Sequence, residues 1–427
     1  MCVAAFGKIV ELQGKKAVVS FMGVMKEVSI TLLPKVKEGD SVVVHAGFAT
    51  ELVKEPLKFY KEVVTTDAYA RHMLDAIQKE NEKYHGRQFR IMNFCGTHEN
   101  TIVQYGLREL LPSNIQLLSG PGCPVCVTPE EEIAMGLEAA GKKGIILTTY
   151  GDLLKVPTQW GSLEQMRVQG ANVKIVYDIN QALQIAKSCA EEVVHLAVGF
   201  ETTAPGTAAV LKEAEGVENF SILSAHRITP PAMKYVLTHS KIDALICPGH
   251  VAMVTGTGIF DRICREYSVP GIVTGFEPID VLQAILIVLQ NSDKKEYFMV
   301  NQYARVVEEQ GNELAQSLID EVFQLEDANW RGIGVLPGSR LVLKPEFNSF
   351  NAELKLGIEA KKKTETNQES CICGEVLQGV KPRFCPNFGQ SCIPENPKGS
   401  CMVSKEGACN IAYMNLGIGY FEGEVLR

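Results

Sequence analysis

Cysteine is the residue type whose placement most directly indicates chemistry in this sequence. Cys123 and Cys126 are separated by two residues, a spacing that permits a reversible disulfide. The same spacing is also half of a zinc site. Because no second C-x-x-C and no histidine pair at zinc-ribbon spacing follows, we favour a redox role or transient metal binding over structural zinc.

Cys95 and His98 form a second candidate site. Cys95 ends an apolar run and His98 follows three residues later, so a short loop can direct a thiolate and an imidazole at one soft divalent metal such as iron. The pattern alone is weak, because a single cysteine after an apolar run is most often a small core residue. By that reasoning we assign no role to Cys189, Cys247 and Cys264.

The C-terminal part of the chain, residues 371–427, holds six of the thirteen cysteines. They are Cys371, Cys373, Cys385, Cys392, Cys401 and Cys409. The segment is rich in Gly and Pro and poor in apolar sequence, so it needs a metal or disulfides to become ordered. Four thiolates suit either Zn²⁺ or an iron–sulfur cluster, and the spacings alone leave both open.

Cys2 is a further candidate ligand. Removal of Met1 would leave a terminal residue that carries both an α-amine and a thiol. Such a terminus can ligate a metal from the end of a mobile arm, although an incidental exposed thiol is the plainer interpretation.

Composition narrows the function classes. The chain has 427 residues, of which 46% are hydrophobic and 22% charged, so it should fold, with about three domains as a prior. With 42 Lys and Arg against 50 Asp and Glu, the net charge is −8, and no basic run exceeds residues 361–363. We therefore expect no nucleic-acid partner. The longest apolar stretch is far shorter than the roughly 20 residues of a membrane span, and no apolar signal core follows Lys8, so we expect a soluble cytoplasmic protein.

The elements that must position these cysteines fall into three predicted regions. Residues 1–60 contain five short strands, which predict a small β-barrel of OB type. Residues 61–350 alternate β-rich and helical runs, which predict two parallel-sheet α/β layers, as two subdomains split near residue 175. Residues 351–427 form the cysteine-rich domain. The Cys95 and Cys123 motifs directly follow predicted strands, where ligands bind in open α/β sheets.

Two parts of the sequence resemble two families of hydrogenase maturation proteins. The N-terminal motifs at residues 1–4, 7–10 and 44–49 resemble HypC, a small maturation chaperone, over about residues 1–53. From about residue 65 to 427 the chain resembles HypD, through the motifs at residues 95–100, 120–126, 199–205, 248–251 and 373–409. Phe6 stands where HypC-like sequences usually carry proline, so we expect a less rigid arm. The extra Cys371 makes the choice of cluster ligands ambiguous.

The resemblance implies a function. A HypC–HypD unit would assemble and carry the Fe(CN)₂CO precursor of [NiFe]-hydrogenase, with cyanide taken from a HypE-like thiocyanate donor. The iron would be held by Cys2 and Cys95, with His98 beside it in a supporting role, and Cys123 and Cys126 would be the redox pair. The tail would hold a [4Fe–4S] cluster.

From the resemblance we also expect particular ligands and partners. The preferred cluster ligands are Cys373, Cys385, Cys392 and Cys409, with Cys401 as substitute. The expected partners are the HypE-like cyanide donor and the large subunit of [NiFe]-hydrogenase. The chain would thus be a metallocofactor assembly scaffold with a redox-active dithiol.

Two alternatives stay open at this point. One is an iron–sulfur thiol–disulfide oxidoreductase without iron delivery, which would need neither Cys2 nor Cys95. The other is a zinc-stapled binding module, which would be colourless where an iron–sulfur cluster absorbs brown.

Overall fold

A computed structural model describes most of the chain, namely residues 5–21, 24–31, 33, 35–45, 48–53, 67–293, 297–361 and 371–416. The chain divides into two compact units, residues 1–71 with 104–106, and residues 72–103 with 107–427. Cys2, the predicted iron ligand of the N-terminal arm, lies outside the described residues.

The first unit contains a mainly antiparallel sheet. Its strands are β1 (Ala5–Gln13), β2 (Lys16–Phe21), β3 (Val24–Ser29), β4 (Ser41–His45) and β5 (Phe48–Val53). They pair in the order β1-β2-β3-β5-β4, and β4 also pairs with β1, so the strand order closes on itself. Alternate residues such as Ile9, Val19 and Val42 form its core. The predicted N-terminal β unit is present, and its OB type stays a prediction.

The second unit contains two sheets. The first has five parallel strands in the order β14-β13-β12-β6-β7. The second has six strands in the order β15-β16-β11-β10-β8-β9, in which β8 to β11 pair in parallel and β15 and β16 are antiparallel additions. The strands are β6 (Phe89–Asn93), β7 (Ile115–Ser119), β8 (Ile145–Thr149), β9 (Val173–Ile175), β10 (Glu192–Gly199), β11 (Phe220–Arg227), β12 (Ala244–Pro248), β13 (Gly271–Thr274), β14 (Met299–Asn301), β15 (Phe323–Trp330) and β16 (Gly334–Leu343).

Helices connect the strands, as the alternating pattern predicts for parallel sheets. In chain order they are α1 (Ala68–Glu82), α2 (Gly96–Gln104), α3 (Leu107–Leu110), α4 (Pro124–Val127), α5 (Glu130–Gly141), α6 (Leu163–Val168), α7 (Ile179–Ser188), α8 (Ala204–Glu213), α9 (Thr229–His239), α10 (Gly249–Thr255), α11 (Gly258–Tyr267), α12 (Pro278–Asn291), α13 (Glu313–Val322), α14 (Ala352–Leu356), α15 (Cys373–Val376), α16 (Ser400–Val403) and α17 (Ala408–Leu416). The predicted mixed α/β class with parallel sheets is confirmed.

The two sheets do not follow each other along the chain. Both take strands from either side of residue 175, so the predicted split there is wrong. Along the chain, β6 and β7 of the five-stranded sheet come first, and β8 to β11 of the six-stranded sheet follow. Strands β12 to β14 then complete the five-stranded sheet. A pattern of strands and helices predicts parallel sheets but carries no information on which strands share one.

Burial follows from this layering. Strands β8, β11, β12 and β13 are buried along their whole length, as expected where helices cover both faces of a parallel sheet. The cysteine-rich region consists of short helices joined by turns, and it packs into a hydrophobic cluster with α4 and β10. Among the described helices, none has the length and apolar character that a membrane span requires.

Candidate functional site

Cys95 stands at the end of β6, at the N-terminus of α2. Its carbonyl oxygen accepts a hydrogen bond from the N–H of Glu99 at 3.0 Å. The N–H groups of Thr97 and His98 and the Thr97 hydroxyl hydrogen-bond to its sulfur. Burial and the negative charge of Glu406 outweigh these bonds and raise the pKa of the Cys95 thiol to about 11. Without a metal this cysteine is therefore a neutral thiol at pH 7, and a bound cation would be needed to remove its proton.

His98 is fully buried one helical turn beyond Cys95. Its Nε2 lies 2.9 Å from the carbonyl oxygen of Gly275 and 3.2 Å from that of Thr274. Because carbonyl oxygens only accept, Nε2 carries the hydrogen, and Nδ1 is left with a lone pair and no hydrogen-bond partner among the described residues. Burial lowers the pKa of His98 to about 4. The neutral ring therefore offers Nδ1 as a metal ligand or an acceptor, and not as a hydrogen-bond donor.

Cys123 and Cys126 are joined by a disulfide, with their Cα atoms 5.3 Å apart. Cys123 is the N-cap of α4, and its sulfur accepts a hydrogen bond from the N–H of Cys126 at 3.1 Å. Both residues are buried. A helix N-terminus stabilises a thiolate, so reduction of this disulfide would leave Cys123 in a position that favours reactivity.

The loop that carries this disulfide lies directly against Cys95. A Cβ atom at Gly122 would stand 2.4 Å from the backbone nitrogen of Cys95 and 2.4 Å from the carbonyl carbon of Phe94. The N–H of Gly96 donates to the carbonyl oxygen of Gly122 at 3.3 Å. Only glycine permits this approach, and β6 and β7 are neighbours in the sheet, so the two predicted motifs meet at one edge.

The tail cysteines gather in one place. The sulfurs of Cys371 and Cys373 are 3.0 Å apart, and Cys401 hydrogen-bonds to both Cys373 and Cys409. Cys371 is partly exposed, whereas the predicted ligands and their substitute Cys401 are all buried. These buried ones are Cys373, Cys385, Cys392, Cys401 and Cys409.

The donor set of the tail fits an iron–sulfur cluster, although the sulfurs now hydrogen-bond one another. Within the described ranges no three His, Cys, Asp or Glu side chains stand in the positions of a metal's ligands. The donors are nevertheless all thiols, and the N–H of Lys398 points at the sulfur of Cys392 at 3.3 Å. A Cβ at Gly399 would lie 2.3 Å from the Cys373 sulfur, so this backbone must stay close to the thiols. Backbone N–H groups near sulfur are a feature of cluster sites.

The tail also contacts the loop of the Cys123–Cys126 disulfide and the Cys95 motif. The hydroxyl of Ser400 donates to the carbonyl oxygen of Cys126 at 3.2 Å. At the other end of this segment, the backbone of Glu406 packs on Gly96, where a Cβ would stand 2.7 Å from the Glu406 carbonyl oxygen. Cys95, the disulfide and the tail thiols thus form one continuous region of the second unit.

Glu406, which no motif of the sequence singles out, lies beside Gly96 and Cys95. Burial, with the negative charge of Asp152 as a second cause, raises the pKa of its carboxyl to about 7. Ser404 links the two acids, since its hydroxyl donates to Asp152 at 3.0 Å and accepts from the N–H of Glu406 at 3.2 Å. The one available signal was an acidic residue inside the cysteine-rich motif.

The two remaining motifs, at residues 199–205 and 248–251, follow β10 of the six-stranded sheet and β12 of the five-stranded sheet. His250 stacks on Phe276 with ring centroids 3.8 Å apart, and Phe276 stacks on His98 at 4.6 Å, which orients the buried imidazole. Glu201 accepts hydrogen bonds from the N–H and the hydroxyl of Thr229, and burial raises its pKa to about 7.

Comparison with known proteins shows the family of this chain. The sequence model of the HypD family, described as the hydrogenase formation hypA family, matches residues 68–415. This chain belongs to the HypD family. It is 43% identical over 351 residues to a protein of Methanocaldococcus jannaschii named for hydrogenase expression and formation, covering 81% of this chain and 97% of that protein.

Two bacterial HypD proteins are similarly related. The hydrogenase maturation factor HypD of Cupriavidus necator is 41% identical over 77% of this chain and 90% of its own length. That of Azotobacter vinelandii is 40% identical over 83% of this chain and 96% of its own length. The HupF/HypC family model matches residues 1–57, so one polypeptide carries a HypC-type segment followed by a HypD-type segment.

Proposed function

We propose that this chain is a hydrogenase maturation factor that assembles and carries the Fe(CN)₂CO precursor of [NiFe]-hydrogenase. The proposal rests on one observation, which is that Cys95, the Cys123–Cys126 disulfide and the tail thiols form one region. Contacts of Gly122, Ser400 and Glu406 hold this region together. A simple thiol–disulfide oxidoreductase would have no use for Cys95 at that position.

Iron is the substrate of this site. We assign its protein ligands to Cys95 and, from the HypC-type segment, Cys2. Two thiolates suit low-spin Fe(II) that carries diatomic ligands, because they provide soft donors without competing oxygens. Covalent linkage of the two segments would raise the effective concentration of Cys2 near Cys95 to about the millimolar range, if the linker spans the distance.

Glu406 and His98 support Cys95. As iron binds, the Cys95 thiol must lose a proton, and a carboxyl with a pKa of about 7 beside it can accept that proton. His98 presents Nδ1 without a proton, so it can accept a hydrogen bond from a group on the iron or bind the metal itself. Donation of a hydrogen bond from Nδ1 would require protonation of a buried ring.

Cys123 and Cys126 supply the electrons for cyanide release. A thiocyanate R–S–CN reacts with two thiols to give R–SH, HCN and one disulfide, so each cyanide that the iron captures consumes one dithiol. The disulfide in the structure corresponds to the oxidised product of this step. A [4Fe–4S] cluster on the tail, when bound, would supply single electrons beside the disulfide.

Infrared spectroscopy of variants tests this proposal. In anaerobically purified protein, Cys2→Ala and Cys95→Ala should each abolish the cyanide and carbonyl stretching bands and leave the brown absorbance of the tail intact. Cys189→Ala, which removes a cysteine outside the site, should keep both signals. If both ligand variants retain the bands, the iron is held elsewhere and the proposal fails.

Metal content separates the alternatives. Stoichiometric zinc without iron in anaerobic protein would favour the zinc-stapled binding module. Iron and brown absorbance without infrared bands in the wild type would favour the iron–sulfur oxidoreductase.

A further inference from the structure

A positively charged surface borders the tail beside Cys385. Residues 379–383 and the end of β7 enclose a cavity of about 250 Å³ whose wall includes Arg108, Lys381 and Arg383. The segment is held on the sheet by Gly379, where a Cβ would come within 3.4 Å of the Leu118 Cβ. We call Arg108, Lys381, Arg383 and the adjacent Phe384 the Phe384 surface.

The cavity wall holds three cations, Arg108, Lys381 and Arg383, against the two anions Glu99 and Glu109, although the whole chain has a net charge of −8. Arg108 is paired with Glu99, with Nη2 and Oε2 2.7 Å apart. Lys381 and Arg383, by contrast, form no salt bridge with any acidic side chain that the structure describes. Burial and the nearby charges of Arg383 and Arg108 lower the pKa of Lys381 and outweigh the opposing charge of Glu109. The surface is therefore a local positive region on an acidic protein.

An exposed aromatic ring stands in this surface, immediately before a predicted cluster ligand. Phe384 is 64% exposed, and the guanidinium of Arg383 lies 5.2 Å from its ring centroid. The next residue is Cys385, which is only 8% exposed and whose N–H donates to the carbonyl oxygen of Pro382 at 2.9 Å. An exposed aromatic ring with an arginine beside it is typical of protein interfaces.

The proposed function creates a demand for electrons at this place, and the present inference rests on it. Each turnover leaves one disulfide, and its reduction requires two electrons and two protons to give two thiols. Those electrons must come from another molecule. Small one-electron carrier proteins, which hold an iron–sulfur centre or a flavin, commonly have acidic surfaces and match a positive docking site.

We propose that the Phe384 surface docks a small acidic one-electron carrier protein. Its carboxylates would contact Lys381, Arg383 and Arg108, its apolar surface would cover Phe384, and electrons would enter at Cys385. Two reduced carriers each lose one electron in succession, and water supplies the two protons of the dithiol. Because both proteins are acidic overall, binding depends on this local patch and weakens strongly with salt.

Calorimetric titration with a plant-type [2Fe–2S] ferredoxin tests the docking directly. We expect Lys381→Glu/Arg383→Glu to raise Kd by about tenfold or more at low salt, and Phe384→Ala by about threefold. The matched control is Lys143→Glu/Lys174→Glu, which changes the net charge equally at two exposed lysines, neither of which forms part of the surface. It should stay within about twofold of the wild type.

Three results would overturn the proposal. The first is that the wild type binds no ferredoxin at low salt, and the second is that the charge-reversal and control variants lose equal affinity for ferredoxin. The third is complete displacement of ferredoxin by millimolar inorganic phosphate, which would make the cavity a small-anion site.

A second readout separates this proposal from the proposed function. Reduced ferredoxin should reduce the Cys123–Cys126 disulfide more slowly in the Lys381→Glu/Arg383→Glu variant than in the wild type. Dithionite, a small reductant that needs no docking, should reduce it at the same rate in both proteins. Failure of dithionite in both would contradict the electron path of the proposed function and leave the binding result standing.

Discussion

Two pairs of neighbouring cysteines in the second unit differ in what their surroundings allow. Cys123 and Cys126 lie in a loop at the sheet edge and are joined by a disulfide, beside Cys95 and the tail. Cys247 on β12 and Cys264 on α11 are fully buried in a separate cluster, with their thiols hydrogen-bonded to each other. Burial, with Cys264 as a second cause, raises the pKa of Cys247 well above its ordinary value.

The comparison shows that closeness of two thiols does not make a redox site. The first pair has a helix N-terminus that stabilises a thiolate and a contact with the tail through the Ser400 hydroxyl. The second pair has an apolar environment that penalises charge. It packs closely against Gly271, where a Cβ would stand 2.4 Å from the Cys264 sulfur. The pair on β12 and α11 is therefore a packing feature of the core.

Removing one cysteine from each pair should give the largest contrast. Cys126→Ala should lower hydrogenase maturation in a complementation assay by more than about 100-fold, because no dithiol is left for cyanide release. Cys264→Ala should cost about 1 kcal/mol of stability by leaving a small cavity and should keep maturation within about threefold. Equal losses of maturation in two folded variants would remove the distinction between the pairs.

The contact between the disulfide loop and Cys95 can be broken without touching a cysteine. Gly122→Ala should destabilise the protein by about 1–3 kcal/mol and reduce maturation, since its Cβ has no room against residues 94 and 95. Urea unfolding measures the first effect and complementation the second. Gly206→Ala, where a Cβ meets nothing within 4 Å, is the matched control and should be neutral or stabilising by up to about 1 kcal/mol.

Glu406 should give the smallest effect, visible as a pH dependence. Its folded-state pKa of about 7 lies above the ordinary 4.5, so the unfolded state loses its proton first as pH rises. Its contribution to stability is therefore greatest at or below pH 4.5 and falls as pH rises to about 7. Glu406→Gln should flatten this fall in urea unfolding curves, whereas the exposed Glu359→Gln should not. An unchanged slope would mean that the carboxyl ionises normally.

Part of this structure could be predicted from local sequence patterns. Apolar runs separated by helical segments predict the parallel sheets, and the position of residues 95 and 123 after such runs predicts that they lie where ligands bind in these sheets. Periodicity does not encode sheet membership, so the interleaving of the two sheets was missed. Glu406 and the contact of Cys247 with Cys264 depend on tertiary approach between distant segments, which no local pattern records.

In the proposed function, the Cys123–Cys126 dithiol supplies the electrons for cyanide release onto iron held at Cys95. A single-turnover experiment measures this coupling. Reduced protein would be mixed with ferrous iron and an S-cyanylated cysteine peptide, and the reaction would be quenched. Infrared absorbance would give the amount of iron-bound cyanide, and thiol alkylation with mass spectrometry would give the amount of disulfide. We predict one Cys123–Cys126 disulfide for each iron-bound cyanide, in a one-to-one ratio throughout the turnover. Cyanide bound to iron while both thiols remain reduced would show that this dithiol is not the electron source.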